Sequence, residues 1–389
     1  MKSYLPTSHV PLVKLISQIS SYFLLIPIYY PWSKEGRPLS CRRSRKHHIT
    51  FLASLIIDAV HVALLFTWFI YIHANREEIP LWGIISVAYF MATIAIIGSL
   101  KWLIYQRIVE IITLLNQAFQ LETFSRAQFK LEVRFRVIAV VVILIASTAI
   151  LPSVMAMLPW WYEYMPPFVS MRKMVWNEAW LDEWSASGWI LNFTVKLGVT
   201  VLEGLTWMGI VNLGAFGGFT LFIHAPVVVE MWIQVMERRL SQSSIIFNPV
   251  EYRIAQTMQN INTISAKKPL TSLTIGGTMM AKITITYILI SSFKMLPKLV
   301  AVFFLVLVFD FFVCLHILAY SISRPYVASL HYLANVKQRL TKLDKWVVRF
   351  LKSCIPLKFP LGDGNFFGKT TGLVITDVCV AQVVTLLLM

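Results

Sequence analysis

Seven apolar stretches of about the length that crosses a bilayer dominate this chain of 389 residues. A membrane-spanning helix needs about 20 mostly apolar residues. Because lipid offers the backbone no hydrogen bonds, such stretches are expected to be helical. The sequence therefore predicts an all-α, polytopic membrane protein with seven transmembrane helices: Thr50–Ile72, Ile79–Tyr105, Val137–Trp160, Trp189–Ile223, Leu270–Ser292, Leu296–Ile322 and Gly372–Met389.

The charged residues support this class and exclude others. They make up 14% of the chain, whereas soluble domains carry about 25%, so no large soluble domain is expected. The net charge of +16 comes from basic groups beside the predicted spans, which favours contact with anionic membrane lipid over nucleic acid. The sequence has no metal-ligand spacing, nucleophile elbow or phosphate loop, so we expect no metal, no cofactor and no enzyme.

The distribution of lysine and arginine predicts the orientation. Of the 35 such residues, 29 fall on the side that holds the N-terminus, five fall on the other side and Lys196 lies within a span. Positive residues accumulate on the cytoplasmic side. The N-terminus is therefore predicted to be cytoplasmic and the C-terminus extracellular, which is opposite to a G-protein-coupled receptor.

Four segments are predicted in this topology. Residues 1–49 form a cytoplasmic segment with an interfacial helix near Ile16 to Tyr30, and residues 50–322 form a six-helix bundle. Residues 323–371 form a cytoplasmic association helix and turn, and residues 372–389 form a terminal pore helix. The association helix is predicted from apolar residues at the spacing of a coiled-coil seam: Leu333, Val336, Leu340, Leu343, Val347 and Phe350.

The end of the chain resembles the insect gustatory receptor family, whose members are related to insect odorant receptors. The resemblance lies in Phe-Leu-Lys-Ser-Cys-Ile-Pro-Leu-Lys-Phe from Phe350 and in Gly-Asn-Phe-Phe-Gly-Lys-Thr-Thr up to Thr371. The family signature in the last helix is Thr-Tyr, five apolar residues and Gln-Phe. This chain has Ala381-Gln382 and Leu388-Met389 there, so it resembles a divergent member or a near relative.

The resemblance implies a ligand-gated, nonselective cation channel at the plasma membrane, a homo- or hetero-tetramer with related subunits in which the last helix of each lines the pore. On that helix Val378, Gln382, Thr385 and Met389 share one face, and they are the predicted pore-lining residues. Gln382 and Thr385 could instead bond a neighbouring helix. Asp377 lies on another face, where it attracts cations or pairs with a basic group such as Lys369.

Ionisable residues inside spans are candidate functional groups because their burial is costly. They are Asp58, His61, Lys196, Glu203 and Asp310. Lys196 is expected to pair with Glu203 or Asp310, and a structural ion pair is favoured over ligand contact. Three glycines in the fourth span, Gly214, Gly217 and Gly218, are interpreted as sites of close helix packing.

A pocket for a small organic ligand is expected among the second, third, fourth and sixth spans. The outer loop before the fourth span is rich in aromatic and acidic residues, and a membrane-interface belt explains most of its aromatics. We select Tyr164, Trp176 and Trp180 as lid residues and Asn192 and Thr194 as polar contacts.

The sequence therefore favours a gustatory chemoreceptor that acts as a ligand-gated cation channel for small organic tastants. One alternative is a transporter that uses the intramembrane charges, although no inverted repeat supports it. The other is a non-conducting co-receptor subunit, which the altered terminal signature favours.

Overall fold

The structure is a computed structural model. It describes nine ranges of the chain: 28–29, 40–41, 45–74, 81–125, 186–242, 248–266, 269–339, 345–362 and 365–389.

Helices form almost all of the described chain. They are α1 Arg45–Ala74, α2 Leu81–Gln106, α3 Ile108–Ser125, α4 Ala186–Leu213, a π-helical segment Gly214–His224, α5 Ala225–Gln242, α6 Pro249–Ser265, α7 Leu270–Ser291, α8 Lys298–Arg339, α9 Lys345–Ser353 and α10 Thr371–Leu388. The strands are β1 Ile28–Tyr29, β2 Ser40–Cys41, β3 Pro360–Gly362 and β4 Asn365–Phe366, which form two short antiparallel pairs, β1–β2 and β3–β4.

Five helices in the described chain are long and apolar enough to cross a membrane. They are His48–Tyr71, Leu81–Gln106, Leu270–Ser291, Val300–Arg339 and Thr371–Leu388. Each matches a predicted span, and the all-α membrane class is confirmed. The predicted fourth span comprises α4 and the π-helical segment, and its shorter apolar part is Leu197–Val211. The predicted third span, Val137–Trp160, lies outside the described residues.

Helix α8 is much longer than a bilayer is thick. Its 42 residues extend roughly 63 Å at 1.5 Å per residue, about twice the hydrocarbon thickness. It runs unbroken through Pro325, so the predicted boundary between residues 322 and 323 lies inside one continuous helix. The sixth span and the start of the predicted association helix are therefore one element.

The part of α8 beyond Ile322 packs against other helices of the same chain. Leu333 and Val336 belong to the same buried core as residues of α3, α5 and α6. The ring of Tyr332 stacks on that of Tyr252 in α6, with centroids 6.0 Å apart. These two seam positions are thus used within the chain and are not available to a partner helix.

The remaining residues of the predicted coiled-coil seam do not lie on α8 within the described chain. Val347 and Phe350, on α9, are half-buried against the same core. Leu340 and Leu343 lie outside the described residues.

The β3–β4 turn connects this core to the terminal helix. Pro356 and Pro360 prevent α9 from continuing, and the backbone N–H of Phe367 donates to the Phe359 carbonyl at 3.0 Å. Both rings are almost fully buried, and Phe359 also meets Phe222 of the π-helical segment edge to face. Phe367, the second member of the family-like Phe-Phe pair, therefore packs the start of α10 against the core of the chain.

The N-terminal prediction is partly wrong. Residues 16–27 of the predicted interfacial helix lie outside the described residues, but its end, Ile28–Tyr29, is a strand paired with Ser40–Cys41. Pro27 lies inside the predicted helix, where proline removes a backbone hydrogen bond and clashes with the preceding turn.

Two lysines that the orientation count assigned to the cytoplasmic side are buried within helices. They are Lys101 on α2 and Lys282 on α7. Lys282 places its ammonium 4.7 Å from the centre of the Phe312 ring. Without these two residues, lysine and arginine are still concentrated on the predicted cytoplasmic side. The predicted orientation is therefore unchanged, and it stays a prediction.

Candidate functional site

A cavity of about 330 Å³ lies between α2, α4, the π-helical segment, α7 and α8. This volume is within the range of small-molecule sites. Most of the wall is aliphatic, and four aromatic side chains contribute to it: Tyr89, Trp207, Phe222 and Phe311. The described helices around it are therefore the second, fourth, fifth and sixth predicted spans.

The side of the cavity formed by α8 carries a carboxylate. Leu307, Asp310, Phe311, Cys314 and Leu318 line it, and their spacing of three and four residues places them on one helical face. Asp310 is half-buried and is the one charged side chain among the described residues of the wall. Within the described chain, no ion pair or hydrogen bond engages its carboxylate.

The polar groups on α7 are already bonded to their own helix. Thr274 donates to the Leu270 carbonyl at 2.8 Å, and Thr278 donates to the Thr274 carbonyl at 2.7 Å. Threonine hydroxyls commonly bond the carbonyl four residues earlier in a membrane helix. They therefore add little polarity to the wall.

The glycines of the π-helical segment shape the cavity. A Cβ added at Gly214 or Gly218 would meet no atom within 4 Å, so the prediction of close packing is wrong at these two positions. At Gly217 an added Cβ would lie 3.5 Å from Ile104, an ordinary contact. Pro226, two residues after this segment, cannot donate to the preceding turn, and such interruptions accompany wide helical turns.

A buried polar network supports the α4 wall from behind. The indole N–H of Trp207 donates to Glu203 Oε2 at 3.0 Å, and Glu203 Oε1 lies 3.2 Å from His61 Nε2 on α1. The other ring nitrogen of His61 lies 3.1 Å from Thr206 Oγ1. This network fixes the orientation of the Trp207 ring, which lines the cavity.

A second buried pair joins α1 to α2. Lys101 donates to Asp58 Oδ2 and also to Ser54 Oγ at 3.1 Å. Gly98 lies beside this pair, and a Cβ added there would meet the Asp58 Cβ at 3.9 Å, an ordinary contact. Asp58 thus has a counter-charge from a lysine that the orientation count assigned to the cytoplasmic side.

The predicted intramembrane charges therefore separate into two kinds. Asp58, His61 and Glu203 form structural contacts between helices, with partners other than the predicted Lys196. Glu203 contacts His61, whereas the side chain of its predicted partner Lys196 lies outside the described residues. Asp310 is the member that faces the cavity.

The predicted ligand contacts fall elsewhere. Tyr164, Trp176, Trp180 and the side chain of Asn192 lie outside the described residues. Thr194 is exposed on α4 and is not among the residues that line the cavity. Sequence reasoning missed Trp207 as a wall residue, although its position four residues after Glu203 places the two on one helical face.

The terminal helix α10 has one packed face and a wide exposed surface. Ile375, Cys379 and Val383, spaced by four, are buried, and the helix contacts α7 and α8. Gly372 allows a close start, since an added Cβ would lie 3.4 Å from the Ala319 Cβ. The remaining surface includes every predicted pore residue: Val378, Gln382, Thr385, Met389 and Asp377 are all exposed in the single chain.

No protein-family model matches the sequence, and the search of curated proteins finds no match. Solved structures do match. The olfactory receptor OR5 of the insect Machilis hrabei superposes with a TM-score of 0.65 at 9% identity, covering 97% of this chain and 98% of that one. Its complex with eugenol gives a TM-score of 0.64 at 10% identity over the same shares.

The chain has the fold of an insect olfactory receptor. At this identity the likeness concerns the fold, and it extends over almost the full length of both chains. The resemblance to insect chemoreceptors noted at Phe350–Met389 is thus confirmed in the three-dimensional structure. Within this receptor fold the cavity, the buried polar network and α10 are the features that bear on function.

Proposed function

We propose that this chain is a chemosensory receptor subunit that forms a ligand-gated cation channel for small organic molecules. Four subunits would surround a pore lined by α10, with the chain crossing the plasma membrane seven times. The fold shared with an insect olfactory receptor supports the class, and that receptor was solved with the small organic molecule eugenol. The terminal sequence resemblance favours a gustatory ligand.

The observation that carries the proposal is the surface of α10. A helix that belongs wholly to its own bundle buries its polar residues, whereas Gln382 is exposed beside the buried Cys379–Val383 face. Thr385 is exposed on the same side, although its hydroxyl donates to the Ala381 carbonyl at 2.9 Å. A polar side chain facing hydrocarbon is costly. A hydrated path shared between subunits removes this cost, and Val378 and Met389 would provide apolar constrictions on the same face.

Asp377 has a separate place in this proposal. It is exposed and lies roughly 140° around the helix from Gln382 at 100° per residue. It attracts cations in the shared pore or pairs with a basic group; within the described chain no ion pair joins it to Lys369. Replacement by asparagine distinguishes these roles, because only the first changes cation selectivity.

The experiment is cysteine scanning of α10 during recorded current. Gln382→Cys and Thr385→Cys are treated with a membrane-impermeant thiol reagent while a panel of sugars, amines and bitter organics activates the receptor. Val384→Cys is the matched control, because it is also exposed but lies roughly 200° around the helix from Gln382. We expect modification to reduce current at 382 and 385 and to leave it unchanged at 384.

Block confined to position 384 would assign the pore to the other face and contradict the proposal. Ligand flux without current would indicate a transporter. Silence of the chain alone, followed by current on co-expression with a related subunit, would indicate a non-conducting partner subunit. A C-terminal tag that is accessible only from the cytoplasm would overturn the seven-span topology.

A further inference from the structure

We propose that the cavity between α2, α4, α7 and α8 binds a small organic cation whose positive charge is neutralised by Asp310. The inference rests on the proposed receptor function for its physiological meaning and names the ligand class of that function. It does not require that the pore conduct.

The first step is that the Asp310 carboxylate has no ion-pair partner within the described chain. The other acidic groups of the described spans near the cavity are engaged: Asp58 with Lys101 at 2.6 Å and Glu203 with His61 at 3.2 Å. Asp310 has no such basic neighbour within the described chain. An ionised carboxylate in apolar surroundings requires a counter-charge, and here the cavity itself is the space where that charge can enter.

The second step is the chemistry of the walls. Trp207 and Tyr89 line the same cavity as Asp310, and aromatic faces attract organic cations more strongly when water is excluded. The aliphatic remainder of the wall favours the hydrocarbon part of such a ligand. A metal ion is disfavoured because, in the described chain, no group of three or more His, Cys, Asp or Glu side chains is placed to hold one.

The third step is size. A volume of about 330 Å³ is at the small end of the range for ligand pockets, so the expected ligand is a monocation with one aromatic ring or a short alkyl chain. A neutral molecule of the same shape gains the apolar contacts and lacks the ionic one. Discrimination by charge at constant shape is therefore the specific consequence of the proposal.

The test uses two probes of equal shape, trimethyl(2-phenylethyl)ammonium and its uncharged carbon analogue, (3,3-dimethylbutyl)benzene. The full chain is purified into lipid nanodiscs, and displacement of the isotopically labelled cation by each unlabelled probe is measured. We expect the cation to bind saturably and at least about tenfold more tightly than the analogue, the scale of one ion pair in a partly desolvated site.

Two variants separate charge from space. Asp310→Asn is expected to weaken the cation by about tenfold or more and to leave the analogue unchanged. Gly218→Leu places a side chain where a Cβ meets open space, and it is expected to weaken both probes. Asp310→Glu keeps the negative charge and is expected to keep the preference for the cation over the uncharged analogue. It is the second test of charge if the asparagine variant does not purify as a single species.

The proposal is overturned if wild type shows no saturable binding of the cation, if the two probes bind equally, or if Asp310→Asn retains the preference. It is also overturned if Gly218→Leu leaves the cation unaffected, since the cation would then bind elsewhere. Binding that follows the expected pattern in a chain that never conducts would refute the channel function and leave this inference standing.

Discussion

Lys101 on α2 places its Nζ 2.6 Å from Oδ2 of Asp58 on α1, and both side chains are buried. Removal of one partner from such a pair leaves a buried charge without compensation, which costs about 3–5 kcal/mol, whereas replacement of both by apolar groups is close to neutral. The pair therefore predicts opposite outcomes for single and double variants.

Lys101→Met is expected to lower the thermal unfolding midpoint of the purified receptor strongly, because Asp58 loses its counter-charge. The double variant Asp58→Leu/Lys101→Met is expected to recover most of the loss. Both are compared with wild type in detergent by the temperature at which the monodisperse peak disappears. A double variant no more stable than the single would show that the pair contributes by something other than charge balance.

Phe367 is expected to be a major packing residue of the connection to α10. Its ring is fully buried, 5.8 Å from the Phe359 ring centre. Phe367→Ala should cost about 3–5 kcal/mol through the cavity it leaves. Phe366→Ala is the matched control, since Phe366 is half-buried and should cost less. The same thermal unfolding assay compares the two variants. Equal losses of stability at both positions would show that Phe367 is not the major packing residue of this connection.

Cys354 is expected to react slowly with thiol reagents in the folded protein. It is buried beneath α6, and burial raises the pKa of its thiol to about 11, above the usual value near 8.5. The thiolate fraction at pH 8 is therefore small. Peptide-level mass spectrometry should show little iodoacetamide label on Cys354 at pH 8, more at about pH 9.5 where the thiolate fraction is larger, and rapid labelling after denaturation.

A matched cysteine at the neighbouring exposed position supplies the control for that measurement. Ser353→Cys should label readily at pH 8 because the side chain is exposed. Labelling of Cys354 at the same rate as this control would contradict the buried, protonated thiol.

Glu203 is expected to influence ligand binding without contact with the ligand. Its Oε2 accepts the indole N–H of Trp207, whose ring lines the cavity. Glu203→Leu should weaken binding of trimethyl(2-phenylethyl)ammonium by roughly 2- to 10-fold, the worth of one hydrogen bond. Thr206→Val, which contacts His61 but not Trp207, should retain wild-type affinity. Loss of affinity in Thr206→Val but not in Glu203→Leu would show that the Thr206–His61 contact, and not the Glu203–Trp207 contact, supports binding.

The sequence predicts the helices well and their side-chain partners poorly. Apolar length fixes where α1, α2, α7 and α10 lie, because the bilayer imposes this length directly. Pairing across helices depends on packing that no local pattern encodes, so Lys101 was counted with the cytoplasmic side and its contact with Asp58 was missed. The seam at Leu333 and Val336 shows the same limit: an apolar spacing of three and four does not specify which helix will cover it.

The cavity was predicted only in part. Aromatic and acidic residues are concentrated in the outer loop, which directed attention to Tyr164 and Trp176 and away from Trp207. Asp310 was recognised from its charge within a span, but its exposure to a cavity depends on open space beside Gly214 and Gly218. A glycine pattern can indicate either close packing or a void, and only the neighbouring helices decide between them.

The unbroken course of α8 has a mechanical consequence. Asp310 and Val336 are separated by 26 residues of one helix, roughly 39 Å at 1.5 Å per residue. Pro325 removes one backbone hydrogen bond between the two ends and is therefore the expected pivot. About it, a tilt of about 5° moves the Asp310 end by roughly 2 Å and the Val336 end by roughly 1.4 Å in the opposite direction. A movement beside Asp310 is thereby carried to the far end of the same helix, and replacement of Pro325 would alter how much of it arrives there.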